Sequence, residues 1–321
     1  MATKNVYVAR LLTDNVLAGL STLDGFSFEV GEEAPPSRAQ LLAAVAGKDA
    51  AIVTLTERID EEFFVAAGPQ LKVVANVAVG YDNIDVEAAQ RHNVQITNTP
   101  GVLDGATADH TLALILALCR RVVEADRFLH EGEEWIWGPR MFVGLDVSAG
   151  ATLGIIGFGR IGRAVAARAR AFDMEVLAAD TTLTAGEVID GVEIVSQEEL
   201  LTRADIVSLH VPLLPATRHL MNAQTIAAMK EGAYLINCAR GGVVDEQALL
   251  EAIDAGHIRG AAIDTFEGEP VVNPELLRRP QIVVTPHTAS AGEATRDRMC
   301  QLALDNVLAV LGGGEALTPV K

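Results

Sequence analysis

The 321-residue chain predicts an α/β protein built from two consecutive, doubly wound parallel sheets. Short apolar runs alternate with helix-patterned segments from end to end, and the runs are near-continuous and rich in Val and Ile. Strands of that kind are buried on both faces, as in parallel sheets covered by helices. A glycine-rich turn, GFGRIG at residues 157–162, stands mid-chain with one set of such runs before it and another after it. Half of the residues are hydrophobic, Gly and Ala abound and aromatics make up 4%, which suits helices packed closely on a sheet rather than a β-sandwich.

The strand-like runs before the turn are, in order, NVYVARL (5–11), FSFEV (26–30), AAIVTL (50–55), LKVVANV (71–77) and VQITN (94–98). Helical patterns separate them, among them SRAQLLAAVAG, where Ser37 is the predicted N-cap, and DVEAAQRHN. After the Pro100-Gly101 turn, one long helix is expected from about Ala106 to His130, carrying the chain from the first unit to the second. The second set runs ATLGIIG (151–157), EVLAAD (175–180), ADIVSLHV (204–211), GAYLINCA (232–239), RGAAIDTF (259–266) and QIVVTP (281–286). A last helix within residues 291–314 ends in glycines. No strand follows it, so it is expected to return to the first unit.

A net charge of −18 argues against nucleic acid or an anionic membrane surface as partner. An anionic substrate would need a local positive centre in that repelling field. Cys119, Cys238 and Cys300 are far apart, odd in number and form no C-x-x-C pair, so neither a disulfide framework nor a metal site is expected. The N-terminus enters a strand-like run without a signal-peptide pattern, and the run TLALILALC is about half of the roughly 20 residues a membrane span needs. A cytoplasmic protein is expected.

The turn is a dinucleotide-binding fingerprint in context. Gly157, Gly159 and Gly162 follow the strand TLGII and precede the helical RIGRAVAARARAF, where a tight turn and close pyrophosphate approach need residues without side chains. Arg160 and Ile161 stand at the helix mouth, whose amides and dipole favour an anion. Asp180 ends the next strand, 18 residues after Gly162, where an acid accepts hydrogen bonds from ribose hydroxyls. A 2′-phosphate would meet its carboxylate, and no Lys or Arg lies between Ala171 and Thr202, so NAD(H) is expected over NADP(H).

Three residues past later strands have the chemistry of hydride transfer to a 2-oxo acid: Arg240 in INCARGGVVDE, Glu269 in DTFEGEP and His287 in VTPHTAS. All fall at the edge where open α/β sheets bind ligands. Arg grips a carboxylate bidentately and polarises a neighbouring carbonyl. His delivers a proton as hydride arrives at carbon. A carboxylate beside it would favour the imidazolium. Singly, each has a plain structural reading as a turn cap, a surface acid or a packed histidine. Their recurrence at successive strand ends, downstream of the fingerprint, favours the catalytic one.

With these residues in view, the chain resembles the D-isomer-specific 2-hydroxyacid dehydrogenases over nearly its whole length. The matching stretches include NVAVGYDNID (76–85), NTPGVLDGATADHTLALIL (98–116), the fingerprint through Asp180, SLHVPLLPATRHLMN, LINCARGGVVDEQALLEAI, AAIDTFEGEP and VTPHTAS. The resemblance implies a Rossmann-type NAD domain, about residues 100–289, inserted into a flavodoxin-like substrate domain of residues 1–99 plus 290–321. It implies a cleft that closes on substrate. It makes Arg240 the substrate-polarising arginine, Glu269 the acid paired with histidine and His287 the proton donor. Backbone amides around Val79 and Gly80 would hold the substrate carboxylate. Thr107, Pro212, Cys238, Ala239 and Asp264 would contact the nicotinamide half of the cofactor. Asp104-Gly105, the cysteine of INCAR and the proline-free TTLT after Asp180 depart from the usual pattern without touching the three catalytic positions.

The segment EGEEWIWGPRMFVGLDVSAG resembles the dimerisation arm of glyoxylate and hydroxypyruvate reductases, with Trp137 and Met141 in it. A homodimer is implied, and Trp137 either reaches the neighbouring subunit's site or only packs the interface. The implied reaction is reversible, NADH-dependent reduction of a small 2-oxo acid, glyoxylate or hydroxypyruvate foremost, to the D-2-hydroxy acid. Phosphoglycerate dehydrogenase is the alternative enzyme. A non-catalytic, NAD(H)-sensing corepressor-like protein is the alternative of another class.

Overall fold

The computed structural model describes residues 3–320. The chain divides into two compact units: residues up to 103 together with those from 291 onward, and residues 104–290.

The first unit holds strands β1 (Lys4–Val8), β2 (Phe26–Val30), β3 (Ala50–Val53), β4 (Val73–Asn76) and β5 (Gln95–Thr97). They form one parallel sheet in the order β2-β1-β3-β4-β5, the flavodoxin-like winding. Tyr7, Ala51, Val74 and Ile96 pack with Leu41, Val45, Phe63 and Phe64 in one core. Their neighbours along the strands, Val6, Ile52 and Val73, are equally buried. Ser37 caps its helix in a reciprocal box with Gln40. The C-terminal helix Glu293–Leu311 lies on β3 and β4 and buries Met299, Ala303, Leu304 and Val307. Past it the tail returns to β5, where Val320 N–H donates to the Ile96 carbonyl at 2.9 Å.

The second unit holds β6 (Thr152–Ile156), β7 (Glu175–Ala179), β8 (Val188–Ile189), β9 (Val192–Ile194), β10 (Ile206–Leu209), β11 (Ala233–Asn237), β12 (Ile258–Ile263) and β13 (Ile282–Val284). Their order is β13-β12-β11-β10-β6-β7-β9-β8, parallel except for the β8–β9 hairpin. From β9 through β12 this is the Rossmann winding, which reverses direction between β6 and β10. Successive strand residues feed two separate cores. Ile156, Leu177, Val207, Leu235 and Ala261 enter one, while Ile155, Ala178, Ile206, Ile236 and Ala262 enter the other. Burial on both faces is why these strands read as unbroken apolar runs.

One local expectation gives way, and one element is added. The long helix from about Ala106 is two helices, Asp104–Cys119 and Val122–His130, broken at Arg121 with φ 53°. The Cys119 carbonyl accepts Leu145 N–H at 2.9 Å instead of continuing the helix ladder. Gly144 passes so close there that a Cβ would lie 1.8 Å from the same oxygen. The β8–β9 hairpin is an addition: Asp190 and Gly191, at φ 53° and 75°, supply the two left-handed residues of its turn. Among the described residues no helix is long and apolar enough to cross a membrane, and the three cysteines are buried and unpaired.

Candidate active site

In the second unit the chemistry-bearing residues gather just past the carboxyl ends of parallel strands. After β6 the three glycines have distinct physical reasons. Gly157 has φ +94°, and a Cβ on it would lie 2.6 Å from the His210 carbonyl oxygen. A Cβ on Gly162 would lie 2.2 Å from the Gly157 carbonyl, so that glycine lets the helix Arg160–Arg170 start tight against the strand. Gly159 is different: a Cβ there meets no protein atom within 4 Å. Its open space, at the mouth of a helix, fits a pyrophosphate that approaches the backbone. Arg160 is exposed beside it, and the partly buried Ile161 packs on the core below.

Asp180 follows β7. Its Oδ2 accepts Phe158 N–H at 2.8 Å, and its Oδ1 accepts Thr182 N–H and Oγ1–H at 2.9 and 2.7 Å. Burial pushes this carboxyl up, but the Thr182 and Phe158 hydrogen bonds and the Arg163 charge outweigh it and hold it below its ordinary value. The carboxylate is thus ionised and aimed by the glycine turn. Arg163, a cation outside residues 171–202, reaches this site from the fingerprint helix. It is paired with Asp190 at 2.7 Å and lies over the Phe158 ring.

At the far strands, Glu269 and His287 are in contact: Glu269 Oε2 lies 2.8 Å from His287 Nδ1. The other oxygen, Oε1, accepts Phe266 N–H at 2.8 Å, which fixes the carboxylate plane. His287 sits at φ 53°, held by its N–H to the Asp264 carbonyl at 2.8 Å. With Nδ1 engaged, Nε2 is the ring nitrogen left for a ligand. Arg240 stands past neighbouring β11 in a turn tied by Asn237, whose side chain donates to the Arg240 carbonyl and accepts from Ala239 N–H, both at 3.0 Å.

Asp264, fully buried, braces the histidine loop. It accepts Thr285 Oγ1–H at 2.6 Å, Thr288 N–H at 2.8 Å and Ala289 N–H at 3.0 Å, with His110 Nε2 at 3.4 Å. Burial pushes its carboxyl up, yet the hydrogen bonds from His110, Thr285, Thr288 and Ala289 win and hold it at about 2, against an ordinary 3.8. A group depressed in the folded state contributes stability that is complete above the unfolded value and is lost as pH falls through the folded one. About 2 kcal/mol should therefore disappear between roughly pH 4 and pH 2. Asp264→Asn should lose a similar amount at neutral pH and flatten that acid limb. Urea denaturation at several pH values checks both, and an unchanged acid limb would remove Asp264 from this role.

The other predicted positions differ in access. Thr107 is buried, its carbonyl accepting Thr111 Oγ1–H at 2.8 Å. Cys238 and Ala239 are buried at the end of β11, and burial pushes the Cys238 thiol up to about 12, so it stays protonated at neutral pH. Pro212 is exposed past β10, with its carbonyl accepting Thr217 Oγ1–H at 2.6 Å.

In the first unit, Val79 and Gly80 lie in the loop after β4. Thr99 N–H donates to the Ala78 carbonyl at 2.9 Å, and Asn98 Nδ2 donates to the Val79 carbonyl at 2.8 Å. Each planar trans peptide points its N–H opposite its carbonyl. Residues 98–99 thus turn the Val79 and Gly80 N–H groups the other way, where they meet no hydrogen-bond partner among the described residues. Such a pair of free amides suits a carboxylate.

Sequence reasoning did not find Thr285, Thr288 and His110 around Asp264, nor the supports of the Glu269 loop. There the nearly buried Glu246 accepts Glu267 N–H at 2.9 Å, and Glu267 pairs with Arg218 and His219 at 2.9 and 3.0 Å. The acid after VVD was visible in the sequence, but only the fold shows what it holds.

Comparisons with known proteins bear on the family and the fold. Residues 112–289 match the family model described as D-isomer specific 2-hydroxyacid dehydrogenase, NAD binding domain. The glyoxylate reductase of Korarchaeum cryptofilum is 45% identical over 314 residues, covering 96% of this chain and 93% of that protein. A solved structure of a protein from Thermus thermophilus superposes with TM-score 0.92 at 44% identity, covering 99% of this chain and all of that one. A glyoxylate reductase from Paecilomyes thermophila superposes with TM-score 0.87 at 31% identity, covering 100% and 99%.

Proposed function

Because this chain belongs to the D-isomer-specific 2-hydroxyacid dehydrogenases, NAD-dependent oxidoreductases, we propose that it reduces glyoxylate and hydroxypyruvate with NADH, reversibly, to the 2-hydroxy acids of D configuration where the carbon is chiral. The observation that carries this reading is the Glu269–His287 contact at 2.8 Å, one strand end away from Arg240.

NADH, held at the glycine turn and Asp180, would supply the hydride to the carbonyl carbon. Arg240 grips the substrate carboxylate and polarises the carbonyl oxygen. His287 Nε2 gives that oxygen a proton, and Glu269 on Nδ1 orients the ring and stabilises its charged form. His287 is left neutral after each reduction and regains its proton from solvent. The free N–H groups of Val79 and Gly80 take the carboxylate oxygens. In this reading residues 1–99 with 290–321 serve substrate, and residues 100–289 serve the nucleotide. Thr107, Pro212, Cys238, Ala239 and Asp264 belong to its nicotinamide side.

The partner proposed is a second copy of the chain, through the arm of residues 131–150. There Ile136 is 91% and Trp137 76% exposed, an apolar display that suits an interface. Three buried, unpaired thiols agree with the cytoplasmic location proposed.

The test is NADH oxidation by purified protein with glyoxylate, hydroxypyruvate and pyruvate. Turnover with one of the first two supports the reading; tight NADH binding without turnover of any 2-oxo acid sinks it. Coenzyme choice rests on Asp180. Asp180→Arg should raise KM for NADH roughly tenfold to a hundredfold, the worth of a charged hydrogen-bond pair, and shift preference toward NADPH. If kinetics with both coenzymes show the same preference as the parent, Asp180 does not set it.

A further inference from the structure

We infer that the C-terminal tail is a positioning element for the substrate-carboxylate loop, acting through Thr318. The inference rests on the reading that the Val79 and Gly80 amides bind that carboxylate.

The tail does more than finish the chain. Thr318 Oγ1–H donates to the Asn98 carbonyl at 2.6 Å, and Asn98 N–H donates back to the Thr318 carbonyl at 3.3 Å. Thr318 is itself clamped: Asn306 Oδ1 accepts Thr318 N–H at 3.0 Å, and Asn306 Nδ2 donates to Thr318 Oγ1 at 2.9 Å. Asn306 is fully buried in the C-terminal helix, and its Nδ2 also donates to the Leu302 carbonyl at 2.8 Å. Every polar atom of the Thr318 clamp therefore has a partner, in surroundings where an unmade hydrogen bond is costly.

What the clamp holds is the segment that aims the loop. Asn98 and Thr99 pull the Val79 and Ala78 carbonyls to one side and so present the Gly80 and Val79 N–H groups on the other. The route is Asn306, Thr318, Asn98, then the two peptide planes. Thr318 and Asn306 act through Asn98 and not on substrate themselves, so they are positioning residues. Loosening them should weaken substrate binding without touching hydride or proton transfer. Orientation errors of this kind fall on KM when the lost contact is equally present in ground and transition states.

The variant that tests this is Thr318→Val, which keeps shape and backbone but removes the hydroxyl, with Thr318→Ser as the rescue. Expected for Thr318→Val is a KM for glyoxylate raised about three- to tenfold, the worth of one or two hydrogen bonds, with kcat and NADH affinity as in the parent. Thr318→Ser should restore it. Hydrogen exchange of the peptide spanning residues 77–84 gives a second readout, and Thr318→Val should speed it in the free protein. Unchanged exchange there overturns the inference. So does a uniform loss of kcat, NADH affinity and melting temperature, which would mark Thr318 as merely structural. Faster exchange with an unchanged KM also overturns it. Oxamate, a carboxylate inhibitor, then says where the fault lies. If it protects residues 77–84 in the parent enzyme, the loop reading stands and the tail does not matter. If it gives no protection there, the loop reading itself has failed and takes the inference with it.

Discussion

Replacing His287 with Ala is expected to lower kcat on glyoxylate by about 10²–10⁴-fold while NADH binds almost as to the parent, the usual range for losing a general acid. The size follows from where the ring is. Nδ1 is taken by Glu269 at 2.8 Å, and Glu269 is itself fixed by Phe266 N–H, so one imidazole edge is presented, and among the described residues no second histidine bonds the pair. His110 and His219 are engaged elsewhere, with Thr285 and Glu267. Alanine brings a side effect, because residue 287 sits at φ 53° and non-glycine residues are strained there. Asn tolerates that conformation better, so His287→Asn separates lost chemistry from a distorted loop. Both variants should fall together in kcat while their melting temperatures differ. If either turns over at near-parental rate, the proton comes from another group.

Sequence exposed the parts of this molecule governed by local pattern. Most strands were legible because burial on both faces favours apolar residues throughout a run, as Ile155 and Ile156 show by entering opposite cores. The glycine turn was legible because its three positions meet three different physical demands. An acid beside His287 was expected from residue types at strand ends, and Glu269 is the one in contact.

What stayed hidden depends on chain segments far apart in sequence. Nothing between Ala106 and His130 announces a break, because its cause is Gly144 and Leu145 closing on the Cys119 carbonyl. Arg163 escaped as the cation near Asp180 for the same reason: it lies on the helix before the strand, outside the stretch that follows Asp180. The resemblance marks Asp264 only as a cofactor contact, and the bracing of the His287 loop by both its oxygens shows only in the fold. One omission had a local signal. Asp190-Gly191 is a strong hairpin dipeptide, yet the two- and three-residue strands beside it are too short to show a period.

Arg240→Gln is expected to reduce kcat/KM for glyoxylate by roughly 10²–10³-fold, comparable to removing a preorganised donor from a developing oxyanion. Glutamine keeps reach and a hydrogen-bond donor but loses the charge. In a chain of net charge −18, that charge would be the local positive centre an anionic 2-oxo acid needs. The turn should largely survive, because Asn237 holds it through the backbone of residues 239 and 240, and the substitution removes only the guanidinium's own bond to the Ala239 carbonyl at 2.9 Å. Arg240→Lys restores charge without the planar fork and should recover only part of the loss. The two variants divide the role: charge alone predicts that Lys is near parental, and bidentate geometry predicts that Lys resembles Gln. A kcat effect larger than the KM effect would show that the contact strengthens as charge develops on the carbonyl oxygen. An effect confined to KM would leave Arg240 as a carboxylate anchor and pass polarisation of the carbonyl to His287. Parental kcat/KM in Arg240→Gln would remove the arginine from the site and, with it, the assignment of the edge past β11 to substrate.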